Sequence, residues 1–340
     1  MKKIAIIGFG FMGQMHAQIY DKLAGSTLVA IADQDPDAAR KNLEKLGFSA
    51  PVYGDLATLL AREEVDAVDI CLPTDLHTSN ALAVIAAGKH LFCEKPLALS
   101  VEEGESIAQA AEKAGVIAQV GQCIRFWPEY QAFVAFVRSE RAGKLLSLSL
   151  QRRGSRPGYS AANWLNDGNR SNGAAFDLHI HDTDFVQHLL GAPRAVTSLG
   201  SRDATGWSHI FTSYHYDGLS VVAEGGWNYP AQWGFQMAFQ AVFERGAVEY
   251  DSGSTPTLVC TIDDQPKAAL PYTDPGAGTS SSTGGNVSAL GGYYNELVHF
   301  VSCLHSNLQP ETATIRQALL SVRIALAEIQ SASSGTTIVL

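Results

Sequence analysis

The chain has 340 residues, 46% of them hydrophobic and 17% charged, which is enough apolar material for two cored domains. A formal net charge of −10 excludes the clustered basic surface that nucleic-acid binding needs. No apolar run has the length of a bilayer span, and the five cysteines show neither C-x-x-C nor zinc-ligand spacing, so buried thiols and a cytoplasmic setting are expected.

The first stretch, MKKIAIIGFGFMG, carries two lysines ahead of an apolar run, as a signal peptide does. Three glycines within residues 8–13 and the lack of an A-x-A site make it a first strand instead. From Lys3 to about Gln119, short β-branched runs (3–8, 28–33, 65–71, 89–94 and 116–121) alternate with helical patterns near 12–24, 36–46, 55–62, 76–87 and 100–114. Ser100 followed by Glu103 is a capping-box pattern. This alternation predicts a parallel sheet covered on both faces, a Rossmann-type domain over 1–121.

After Gly121 the pattern changes. A helix is expected over 128–141, then longer alternating stretches at 145–153, 208–216, 219–229 and 234–250. The second and third flank Asp217-Gly218, a hairpin signal. Further helices are expected near 173–190, 291–306 and 313–331, and the Gly/Ser/Thr/Pro-rich segment 263–289 reads as a long loop. The second domain, 122–340, is therefore predicted as α/β with a mostly antiparallel, open-faced sheet. One face should pack on helices; the other, with Trp207, Trp227, Phe235 and Phe239 nearby, needs cover.

GFGFMG sets Gly8, Gly10 and Gly13 in G-x-G-x-x-G register, with Phe11 and Met12 between, after a strand and at a helix start. Gly8 permits the tight turn, Gly10 lets the backbone approach a pyrophosphate, and Gly13 lets helix and sheet pack closely. Asp33 ends the next strand, twenty positions after Gly13, where its carboxylate can accept ribose hydroxyls and repel a 2′-phosphate. Gln34 follows it where NADP would favour Arg, so NAD is expected over NADP.

A second constellation lies on one predicted helix, where Asp177, His181, Asp184 and His188 share a face. An exposed polar face with a capping Asp is one reading. A metal site is another, but no third ligand is convincingly placed, and none is expected. The third is general acid/base chemistry by an imidazole that titrates near neutrality. His179, two residues from His181, should point elsewhere.

Three segments together resemble the Gfo/Idh/MocA family of oxidoreductases, which includes inositol dehydrogenases and glucose–fructose oxidoreductase. They are CLPTDLHTSNALAVIAAGKHLFCEKPLALS (71–100), GQCIRFWPEY (121–130) and NGAAFDLHIHDTDFVQHLLG (172–191). Two positions depart from the family pattern: Thr74 follows Pro73 in the first turn, and Ala174 stands where glycine is usual. The resemblance implies that Lys95 touches the nicotinamide ribose and the substrate hydroxyl, with Pro73, Thr74, His77, Glu94 and Gln122 on the cofactor side. It implies that His181 is the acid/base, that Asp177 orients it or binds substrate, and that Asp184 supports the helix. Arg125 near the domain junction and Trp164 in the polar loop 152–173 complete the expected substrate contacts. A second subunit would cover the C-terminal sheet, giving a homodimer or homotetramer. The function implied is NAD-dependent oxidation of a secondary alcohol on a sugar, inositol or related polyol. An NAD-dependent glycosidase and a non-catalytic dinucleotide sensor are the alternatives.

Overall fold

The computed structural model describes residues 1–276 and 290–340. The chain forms two compact units, one from 1–123, 159–164 and 276–319, the other from 124–158, 165–275 and 320–340.

The first unit opens β1 (Lys2–Ile7), α1 (Phe11–Lys22), β2 (Ser26–Ala32), α2 (Pro36–Lys45), β3 (Val52–Tyr53) and α3 (Leu56–Arg62). It continues β4 (Ala67–Ile70), α4 (His77–Ala86), β5 (His90–Glu94), α5 (Val101–Ala114) and β6 (Ala118–Gly121). Local chemistry sets the helix starts. Asp35 accepts the Ala38 amide hydrogen at 3.0 Å, with Pro36 pre-set for the first turn of α2. Ser100 accepts the Glu103 amide hydrogen at 3.1 Å, and the Glu103 carboxylate reaches back to the Leu99 amide. The six strands run parallel in the order β3-β2-β1-β4-β5-β6. The order reverses between β1 and β4, so the strand ends there frame the crevice where open α/β sheets bind ligands.

The chain returns to this unit with α10 (Gly291–Ser306). Leu297, Phe300, Val301 and Leu304 of α10 join Ile4, Ile6, Met15 and Ile19 in one buried core. The Phe300 ring sits 5.5 Å from that of Phe92, edge to face. Each such side chain contributes about 1.5–3 kcal/mol by burial.

The second unit contains α6 (Pro128–Arg138), β7 (Leu145–Ser155), α7 (Gly168–Ser171), α8 (Ala174–Asp177) and α9 (Ile180–Leu190). Its sheet adds β8 (Ala195–Asp203), β9 (Gly206–Tyr216), β10 (Leu219–Tyr229), β11 (Phe235–Phe243), β12 (Gly246–Asp251), β13 (Leu258–Ile262), β14 (Ala268–Ala269) and β15 (Ile338–Val339). Helix α11 (Ile315–Ser334) precedes β15. The nine strands run β14-β13-β12-β11-β7-β10-β9-β8-β15, antiparallel except for β7 with β10. On its covered face Tyr130, Phe133, Phe185, Phe239 and Tyr250 stack ring against ring. Arg152 is buried there and gives Nε and Nη2 to the Asp182 carboxylate at 3.1 and 2.8 Å.

Several expectations need correction. Trp227 and Phe239 are buried by the chain itself, because strand alternation turns Val221, Ala223 and Trp227 inward together, and likewise Met237, Phe239 and Ala241, while Trp207 packs with Ala175 and Ile210. The open face instead carries polar side chains such as Ser149, Gln151, Arg153 and Gln240, with Leu199, Phe211, Val222 and Val242 exposed. The stretch 234–250 is two strands joined at Glu244-Arg245, and the helix expected over 173–190 breaks at Leu178-His179. Of the expected loop 263–289, residues up to 276 contain the short β14, and 277–289 lie outside the described residues. Among the described residues no helix is long and apolar enough to cross a membrane.

Candidate functional site

The turn after β1 is shaped for a phosphate group. Gly8 has φ of +87°, and a Cβ there would lie 2.6 Å from the Cys71 carbonyl oxygen, so only glycine fits. A Cβ on Gly10 would meet nothing within 4 Å, leaving its backbone open to approach, and α1 begins directly after it. Phe11 packs its ring 5.0 Å from Tyr159, and Met12 lies against the core of the first unit. Asp33 accepts the Phe9 amide hydrogen at 2.7 Å and the Asp35 amide hydrogen at 2.9 Å. Its carboxylate is thereby pinned beside the glycine turn, where a ribose would lie. Gln122, just past β6, is buried, and neither atom of its amide has a hydrogen-bond partner among the described residues. A buried donor and acceptor left over together suit a ligand carboxamide, and the residues of this crevice therefore fit a dinucleotide.

Lys95 leaves the carboxyl end of β5, and its peptide bond to Pro96 is cis. The Lys95 amide donates to Glu94 Oε2 at 3.1 Å. Pro73 and the buried Thr74 form the turn after β4. His77, expected on the cofactor side, is enclosed, with Nδ1 2.8 Å from the Pro96 carbonyl and Nε2 2.8 Å from that of Leu72. Burial holds it below its ordinary range against the pull of the two carbonyls, and a neutral ring can donate to only one of them.

Beneath Lys95 lies a buried ionisable cluster that the motifs did not reveal. His16 donates from Nδ1 to Asp69 at 2.8 Å, Tyr20 donates to the same carboxylate at 3.0 Å, and His16 Nε2 lies 3.3 Å from Glu94 Oε1. Glu296 of α10 is fully buried, and its carboxyl, His16 Nε2 and the Glu94 carboxyl offer ligand atoms within 4.8 Å of one another, a spacing that also admits a cation. Burial pushes the Glu296 carboxyl well above its usual range, and the Glu94 charge adds to this. Burial disfavours the His16 charge, whereas Cys71 and Asp69 favour it and win. Since burial also keeps the Cys71 thiol protonated, Asp69 is the anion that holds His16 charged. Two signals could have exposed this cluster: a carboxylate at Asp69 inside an otherwise apolar strand, and a histidine three residues after Gly13 on the inward side of α1.

In the second unit the predicted stripe is split between two helices. Asp177 ends α8, while His181 and Asp184 are buried in the first turns of α9 and His188 lies further along it. Arg125, expected at the substrate, is buried and gives Nε and Nη2 to Asp184, both at 2.8 Å. Ser321 donates to that carboxylate at 2.7 Å. Burial, then the Arg125 charge, lower His188 to about 4, so it is neutral near pH 7. His179 lies against Thr212 and Glu328, each at 3.3 Å, on the sheet side. Trp164 belongs to the 159–164 segment of the first unit and is half-buried.

Comparison with known proteins agrees with this architecture. Residues 2–122 match the family described as "Oxidoreductase family, NAD-binding Rossmann fold", and residues 130–249 match the "GFO/IDH/MocA C-terminal domain". An inositol 2-dehydrogenase of Pseudomonas savastanoi pv. phaseolicola is 34% identical over 190 residues, 55% of this chain and 54% of that protein. A 2,7-anhydro-N-acetylneuraminate hydratase of Mediterraneibacter gnavus is 30% identical over 201 residues, 59% of this chain and 52% of that protein. The chain thus spans about half the length of the curated relatives it matches. A levoglucosan dehydrogenase solved with NADH and levoglucosan has the same fold, with a TM-score of 0.84 at 20% identity over 99% of both chains. Both domain matches, on a sheet order and a glycine turn that point the same way, place the chain in the Gfo/Idh/MocA oxidoreductase family, with an NAD-binding Rossmann domain at its N-terminus.

Proposed function

We propose that the protein is a dehydrogenase that moves hydride between a secondary alcohol of a sugar, inositol or related polyol and NAD. The observation that carries this is Lys95, emerging at the carboxyl end of β5 in the same sheet whose β1 turn leaves the Gly10 backbone open to a phosphate group. Bound NAD supplies the hydride acceptor. In this reading the Lys95 ammonium stabilises negative charge developing on the substrate oxygen. His181 takes the hydroxyl proton, and Asp177 orients the imidazole or binds a second hydroxyl. Arg125 is held by Asp184, so its contribution is to fix the segment that enters α6. The pinned Asp33 supports NAD over NADP. The exposed Leu199, Phe211, Val222 and Val242 support a second copy against the open sheet, as a homodimer or homotetramer. A cytoplasmic setting suits the buried thiols of Cys93 and Cys303.

The test is a panel of sugars and polyols read by NADH absorbance, on wild type and Lys95→Met. Wild type should turn over at least one polyol, and the variant should lose about 10²–10³ in kcat while binding NAD within a few-fold by calorimetry. Near-normal turnover by Lys95→Met removes Lys95 from the chemistry. A second reading is an NAD-dependent glycosidase, and a relative named as a hydratase supports chemistry on a sugar with water as the reactant. Sugar released without accumulation of NADH would select it.

A further inference from the structure

The buried cluster beneath Lys95 has a role that the hydride-transfer reading leaves open. We propose that Glu296, with His16 and Asp69, is a positioning residue for Lys95: together with Glu94 these side chains form one proton-sharing cluster that fixes the main chain where the lysine emerges. The proposal rests on Lys95 being the group that polarises the hydroxyl.

The contacts run from Asp69 to the Lys95 amide, through one approach that is an ion-pair distance and not a hydrogen bond. Asp69 accepts from His16, His16 Nε2 faces Glu94 Oε1 at 3.3 Å, and Glu94 Oε2 accepts the Lys95 amide hydrogen. Space for the Glu94 carboxyl comes from Gly121 of β6, where a Cβ would lie 2.7 Å from Oε1. His16, Asp69 and Glu296 are each 0% exposed, and Glu94 is 5% exposed. Three buried carboxyls against one imidazole and the Lys95 ammonium still leave an excess of negative charge with so little water around it. One carboxyl must keep a proton. Glu296 is the candidate, since neither of its oxygens has a hydrogen-bond partner among the described residues, whereas Asp69 accepts from His16 and Tyr20 and Glu94 accepts from the Lys95 amide. The groups facing it are Glu94 and Lys95 at the end of β5, His16 and Tyr20 of α1, Asp69 of β4 and Tyr293 of its own helix. A neutral acid there leaves His16 as the cation serving both Asp69 and Glu94. Glu94 then stays an acceptor for the Lys95 amide.

Glu296→Gln keeps the shape and a donor but cannot ionise, and Glu296→Ala removes both. An acid that keeps its proton in the fold and loses it on unfolding makes the native state hold more protons, so wild-type stability falls as pH rises above the ordinary carboxyl range. Unfolding of wild type and Glu296→Gln, followed from about pH 5 to 9, should therefore show the variant gaining on wild type by up to about tenfold in the unfolding constant per pH unit. Amide hydrogen exchange at Lys95 should rise by about tenfold or more in Glu296→Ala and in His16→Asn, and return to the wild-type rate in Glu296→Gln. These two readings need no substrate, so they stand apart from the dehydrogenase assay. On a turned-over polyol, Glu296→Ala should lose kcat on the order of tenfold to a hundredfold, with NAD affinity unchanged and Glu296→Gln restoring the rate. A gap that does not grow with pH, or Lys95 exchange unmoved in both Glu296→Ala and His16→Asn, overturns the proposal. So does stoichiometric metal in the purified wild type that Glu296→Gln lacks, which would make the cluster a cation site.

Discussion

Asp33 shows how much a single side chain can settle. Its carboxylate holds two backbone amides beside the glycine turn and still has lone pairs for ribose hydroxyls. Asp33→Ala should weaken NAD binding and narrow the NAD/NADP difference by calorimetry, and a wild type that binds NADP more tightly than NAD would sink the assignment. His181 carries the other residue-scale prediction. Oxidation needs its imidazole neutral, so kcat/KM should rise with pH through an ionisation of the free enzyme. His181→Ala should flatten that limb and slow oxidation by roughly 10²–10⁴, with NAD affinity little changed. His188, lowered to about 4 by burial and the Arg125 charge, would give no such limb near neutrality. An unchanged limb in the variant would move the proton transfer to another group, Lys95 first. At this scale the sequence was most readable where geometry is local, as in the Gly8-Gly10 turn and in the strand-end positions of Asp33 and Lys95. Arg125 and His77 were less so, because their partners, Asp184 and the Pro96 carbonyl, are 59 and 19 residues away.

Elements were legible where a local signal opened or closed them. The Ser100 cap of α5 is one, and Ser100→Ala should cost about 1 kcal/mol in urea unfolding while leaving cofactor affinity intact. A change below a few tenths of a kcal/mol would mean that the Glu103 half of the box suffices. Elsewhere periodicity concealed the structure. The helical pattern of 173–190 runs straight through Leu178-His179, where the chain leaves α8 and re-enters α9. The turn between β11 and β12 is Glu244-Arg245, with neither Asn nor Pro to mark it, so one long strand looked sufficient. Strand β8 escaped notice because its last five residues, Leu199 to Asp203, are exposed and show no buried alternation.

For the whole molecule, the exposed face of the second sheet is the feature that a second copy would explain. Phe211 is 52% exposed and Leu199 69% exposed, on neighbouring strands β9 and β8. Phe211→Asp should shift light-scattering mass toward a single chain without altering NAD affinity, and a wild type that already scatters as a monomer would refute the oligomer. The two sheets were foreseeable from the change of period near residue 121; which aromatic residues each sheet hides was not, since that depends on strand parity over long distances. The return of the chain in α10 bears on something else, the timing of synthesis. The core beneath β1 is completed by Phe300 and Leu304, which leave the ribosome some 180 residues after β6. At about 5–20 residues per second, the apolar side of α1 then waits roughly 10–40 s for its cover. A nascent chain of this protein is therefore most exposed to aggregation while its second sheet is being made, and chaperones that hold apolar surface have that interval in which to act.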